Sequence, residues 1–253
     1  MMKAGKLLYA TNVRQASFSE FERLLAFCTL GLKEVIFLHA TKVEGWEKKL
    51  ADYGVNSKTL TVEGSLVTSI VNVARREAVS LIAATLNRDT GLLFRGSLTT
   101  QLLRASPLPV LLLPENAEAS KSVQEGMFSH AIFATDWSVA SEKALSYLLN
   151  FKELIQELEI VHVIHKKPSV RDMRNLGEKL SRARKIFLDE GIDAESHVYA
   201  GKPSEEIMLA ARDYDATCIV MGTTGMWTLK DMLLQSCSYR VAETSKVPTL
   251  IVP

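Results

Sequence analysis

A chain of 253 residues has room for two domains of ordinary size, each with its own core. With 30 Lys and Arg against 29 Asp and Glu, the net charge is +1 and no long basic run occurs, which argues against nucleic-acid or anionic-membrane binding. Three scattered cysteines (Cys28, Cys218, Cys237) suit a reducing compartment, and the apolar run from Leu7 to Ala10 is too short for a signal-peptide core or a membrane span, so a cytoplasmic location is expected.

In chain order, strands are predicted over residues 6–11, 34–40, 58–62, 79–85 and 110–113, then 131–135, 159–164, 195–199, 217–221 and 249–252. Most are continuous β-branched or leucine-rich runs, the pattern of strands buried on both faces of a parallel sheet. Helices are predicted between them. Ser17-Phe18-Ser19-Glu20 has capping-box form and marks the start of the first. Gly54 and Gly191 follow helical stretches, where a left-handed cap is needed. Leu176, Leu180, Ala183 and Phe187 recur at four, three and four residues and so share one helix face. Alternating strands and helices predict an α/β fold with a doubly wound parallel sheet, once per half.

The two halves repeat. From Ala83 to Pro109 is 26 positions, as is Gly222 to Pro248, and each unit closes five residues later at Pro114 and Pro253; the shift of 139 is constant across a loop, a helix and a strand. Ala10-Thr11-Asn12 answers Ala134-Thr135-Asp136 with a shift of 124, and Gly64 answers Gly201 with a shift of 137. The second half therefore carries about 14 extra residues in its second helix, a length change that surface elements tolerate. The polar, non-periodic stretch 115–127 reads as a linker between domains 1–114 and 128–253.

In an open parallel sheet, ligands bind beyond the carboxyl ends of the strands, where the strand order reverses. Three features of the second half meet at that edge. Asp136 ends the first strand, Gly222-Thr223-Thr224-Gly225 follows the fourth, and Ser236 stands where the last helix begins. Glycines let backbone N–H groups approach an anion, and a helix N-terminus adds partial positive charge. An aspartate accepts hydrogen bonds from a base or ribose. The set reads as a nucleotide cradle; glycines in a strand-to-helix turn also occur for backbone geometry alone.

On these residues the chain resembles a tandem universal stress protein over nearly all of both halves. That family's phosphate loop reads Gly, two residues, Gly, nine residues, then Gly and Ser or Thr, with an aspartate closing the first strand at the adenine end. Asp136, Gly222, Gly225 and Ser236 match, while Gln235 replaces the last loop glycine. The resemblance adds Val163, on the second strand, to the cofactor-binding set, and implies ATP or AMP as the cofactor. In the first half Gly96-Ser97 match, but Ala83, Leu86 and Asn12 stand where Gly, Gly and Asp belong. Side chains there occupy phosphate space, and Leu86 at a positive φ would cost roughly 1–2 kcal/mol, so the first site is expected to be dead for nucleotide. The resemblance also implies the strand order 3-2-1-4-5 in five-stranded sheets with helices on both faces. It implies, too, that the last strands pair within one chain as a pseudo-dimer, with further homo-oligomerisation open.

Other signals have bland readings. His162 and His165, three apart on a strand, should face opposite sides, and with His39, His130 and His197 dispersed no metal site is expected. Cys237, at a helix start, reads as an inert thiol before a redox one. Trp137 and Trp227 flank the proposed cleft, where packing outweighs stacking on adenine. Lys166-Lys167 with Arg171 to Arg184 reads as a solvated basic face. The chain lacks a Gly-x-Ser-x-Gly elbow, a Walker loop, and Gly-x-Gly-x-x-Gly after the first strand, so a non-enzymatic regulator is expected. A nucleotide-free interaction module and a slow ATP hydrolase are the other readings. Protein partners are not identified by sequence.

Overall fold

Strand residues with no polar face have nowhere to go but the interior: Leu7 to Ala10, Val35 to Leu38 and Leu81 to Ala84 are each at most 2% exposed. In a computed structural model the described residues are 5–11, 18–39, 45–62, 64–85, 97–114, 126–223 and 236–253. The chain divides into two compact units, Met1–Ala119 and Ser120–Pro253.

The first unit holds strands β1 (Lys6–Thr11), β2 (Glu34–His39), β3 (Asn56–Thr61), β4 (Leu81–Thr85) and β5 (Val110–Leu112). Its helices are α1 (Phe18–Glu22), α2 (Trp46–Asp52), α3 (Leu66–Arg76) and α4 (Leu98–Ala105), with a 3-10 turn at Arg23–Cys28. The strand order is β3-β2-β1-β4-β5, every pairing parallel. Ser17, the proposed cap of α1, lies outside the described residues.

The second unit repeats that layout: β6 (His130–Ala134), β7 (Glu157–Ile164), β8 (Asp193–Ala200), β9 (Cys218–Gly222) and β10 (Thr249–Val252) run in the order β8-β7-β6-β9-β10, again all parallel. Between them lie α5 (Val139–Leu148), α6 (Val170–Asp189), α7 (Pro203–Asp213) and α8 (Cys237–Thr244). The α/β class and the order that the resemblance implied are thus present in each unit. β1 and β10 have the expected bounds, and the other strands shift by one or two residues. β7 starts two residues early because Glu157 and Glu159 look like a polar boundary in sequence yet lie within the ladder.

The length difference between the halves falls in the second helix: α2 has 7 residues and α6 has 20. The expected face of α6, Leu176, Leu180, Ala183 and Phe187, is buried, with the Phe187 ring 6.2 Å from that of Phe133. A two-turn α2 cannot cover as much sheet, and aromatic side chains fill the space instead. Phe18, Phe21 and Trp46 gather with Tyr9 and Phe37, at centroid distances of 5.1 to 6.3 Å. Gly54 and Gly191 end their helices at φ +70° and +83°, the left-handed caps read from sequence.

Candidate functional site

β6, β7 and β9 end together at one edge of the second unit, and the strand order reverses between β6 and β9. A cavity of about 580 Å³ lies there, within the range of small-ligand sites. Ala134, Val161, Val163 and Met221 from the strands and Ile207 from α7 supply apolar walls. Polar groups sit around them: Asp136 after β6, Gly222 at the end of β9, and Ser238 in the first turn of α8. Such a mixture suits a flat apolar ring with a few directed hydrogen bonds at its edge.

Asp136 is exposed, and its carboxylate accepts the Ser138 backbone N–H at 2.9 Å. That turn leads into α5, whose N-cap Ser138 accepts the Ser141 N–H at 3.3 Å. Partial desolvation beside the cavity pushes the Asp136 carboxyl up, but hydrogen bonds from Ser138, through hydroxyl and backbone, and from Ser141 outweigh it, so the group lies below the ordinary aspartate range. It is a carboxylate, ready to accept from N–H or O–H groups of a ligand. Thr135 is pinned to the neighbouring strand by a 3.0 Å bond from its N–H to the Val161 carbonyl and a 2.8 Å bond from His162 Nδ1 to its own carbonyl. A carbonyl only accepts, so the His162 proton sits on Nδ1.

Gly222 has a packing reason of its own. A methyl group there would run into the backbone of Ala140 and Ser141, so the end of β9 meets the first turn of α5 only because the side chain is missing. Val163, buried near the end of β7, lines the cavity. Gly225 and Gln235 lie outside the described residues, as do Trp227, Gly96, Leu86 and Asn12.

Ser236 stands at the start of the last helix, as read from sequence: it is the N-cap of α8, its hydroxyl accepting the Tyr239 N–H at 3.5 Å, and beside it Cys237 and Ser238 line the cavity. Ser97 caps α4 in the same way, at 3.1 Å from Thr100 N, so the repeated serine is a capping residue in both units. Trp137 does not border this cavity. At φ +61° its side chain turns to a second cleft of about 330 Å³ between α5 and α6, with Lys179 5.8 Å from its ring. The two histidines His162 and His165 both line the main cavity, because β7 ends at Ile164 and strict alternation stops there.

Lys166 and Lys167, part of the basic face that reads as solvated, are exposed; they precede α6 and border the cavity. Their position just past the carboxyl end of a parallel strand was the available signal. The Cys237 thiol is pushed up to about 11, by burial first and by the Asp136 charge second, so at neutral pH it stays protonated.

The Universal stress protein family profile matches residues 127–253. Universal stress protein YxiE of Bacillus subtilis is 31% identical over 147 residues, covering 50% of this chain and 99% of that protein. Universal stress protein MJ0577 of Methanocaldococcus jannaschii is 27% identical over 154 residues, covering 50% of this chain and 95% of its own. Over the whole length, the crystal structure of a universal stress protein from Archaeoglobus fulgidus matches with a TM-score of 0.76 at 22% identity, covering 99% of this chain and 96% of that one. At that identity the likeness is one of fold.

Proposed function

Because the chain belongs to the Universal stress protein family, we propose that it is a non-enzymatic stress-response regulator whose second unit binds one adenine nucleotide, ATP or AMP. The observation that carries this reading is the cavity at the strand-order reversal, with Asp136, Val163 and Gly222 on its walls. On this reading the adenine lies on the apolar strand ends and Asp136 accepts from its amino group or from the ribose. The phosphates face the start of α8 and the ammonium groups of Lys166 and Lys167. Regulation follows if the surface shown to partners differs between two states that bind nucleotide unequally.

Equilibrium binding of ATP and AMP to nucleotide-stripped protein tests it. Asp136→Ala should weaken binding by about ten- to a hundredfold, the loss of a charge-assisted hydrogen bond, and Gln235→Gly should strengthen it. Tighter binding without Asp136 would sink the assignment. The packing role of Gly222 favours a second reading, a nucleotide-free interaction module. Millimolar ATP that leaves the melting temperature unchanged would select it, since any ligand of the native state stabilises that state. Steady ADP release that disappears in Gly225→Val would overturn the non-enzymatic part.

A further inference from the structure

Toward the other end of the same strands, histidines far apart in sequence converge on one carboxylate. Glu159 on β7 is 7% exposed, and its two oxygens meet His130 Nε2 of β6 at 3.0 Å and His197 Nε2 of β8 at 2.6 Å. Glu195, two residues before His197 on the same strand face, brings a further carboxylate oxygen to 3.9 Å from His197 Nε2. Glu157 stands 3.5 Å from the other nitrogen of His130. Among the described residues, the ion pairs of these three glutamates are with imidazoles alone, and neither lysine nor arginine joins them. Three carboxylates facing two imidazoles leave an excess of negative charge.

We propose that Glu159, Glu195 and His197 form a divalent transition-metal site of the zinc type, with His130 and Tyr214 as positioning residues. One donor atom from each of the three lies within 4.8 Å of the others. Tetrahedral zinc bonded to nitrogen and oxygen sets its ligand atoms about 3.4 Å apart. The 2.6 Å and 3.9 Å separations from His197 Nε2 bracket that value, so for these two pairs shifts under about 1 Å reach it. Imidazole with carboxylates is a donor set for zinc, nickel or cobalt in preference to calcium.

The supporting contacts are those a metal site needs. His130 holds the second oxygen of Glu159, fixing the plane of that carboxylate. Tyr214 Oη lies 3.0 Å from His197 Nδ1, with the two rings 4.7 Å apart. With an ion on Nε2 the ring proton sits on Nδ1, where the tyrosine oxygen is placed to accept it. Glu195 is two-thirds exposed, which leaves solvent access for an ion and a fourth position for water.

The test is zinc titration of the full chain, stripped with chelator, by calorimetry, with cobalt(II) absorption as the second readout. One ion per chain is expected, with a cobalt spectrum free of the near-ultraviolet thiolate band. Glu195→Ala removes a solvent-exposed carboxylate and should lower affinity at least tenfold while the metal-free chain still melts cooperatively. His197→Ala should abolish the site, and Tyr214→Phe should weaken it about ten- to a hundredfold. Failure of the stripped chain to take up zinc overturns the proposal. An ion retained at full affinity in Glu195→Ala, or a thiolate band showing cysteine ligation, overturns it too.

Discussion

Single residues in this chain often have a structural duty beside the one their motif suggests. Asp136 is the clearest case, since its carboxylate accepts from the turn that starts α5 and also faces the cavity. Ser236 matches a phosphate-loop pattern in sequence, yet its hydroxyl caps a helix. Cys237 shows how a local rule loses to its surroundings. A helix N-terminus lowers a thiol pKa, but burial and the Asp136 charge act the other way and win. A rise from the ordinary 9.0 to about 11 cuts the thiolate fraction at pH 8 by about a hundredfold. Peptide mapping after iodoacetamide treatment should therefore find Cys237 modified about a hundredfold more slowly in native than in unfolded chain. Equal rates would mean that the thiol is not shielded.

At the scale of elements, strands were legible because burial on both faces forces unbroken apolar runs, and α6 was legible from its spacing of apolar residues. The α2 region was harder to read, because its short helix is supplemented by aromatic rings from α1 and the strands. β9 and α5 meet through a glycine, and this contact gives a stability prediction. Gly222→Ala should destabilise the protein by about 1–3 kcal/mol, the usual effect of forcing atoms into a filled space, seen as a lowered melting temperature with or without nucleotide. A variant as stable as the parent would show that the glycine is not needed for packing. Lys166 and Lys167 are exposed as read from sequence, but that they border the cavity was not legible, because the fold alone sets which sheet edge lies beside them.

For the whole molecule, acid stability follows from groups in both units. The carboxyls of Asp136, Asp172, Glu77 and Glu205 all lie below their ordinary values of 3.8 and 4.5, held down chiefly by hydrogen bonds from serine or lysine side chains. A lowered folded-state value means that the unfolded chain takes up protons first. Their contribution is complete above the ordinary values and is lost as pH falls through the lower folded ones. Melting temperatures should thus hold between pH 7 and 5 and drop progressively below about pH 4. A flat profile down to pH 2 would show these bonds to be energetically silent. By itself the sequence determined the α/β class, the repeat, the position of nearly every strand and the sheet edge at which the main cavity lies. These depend on local periodicity and on spacings along the chain. Only the tertiary structure decided that His130, Glu159, His197 and Tyr214 meet, that Trp137 turns away from the cavity, and that Lys166 and Lys167 border it. Such juxtapositions depend on strand register and loop direction, through which residues separated by 17 to 87 positions come within a hydrogen bond of each other.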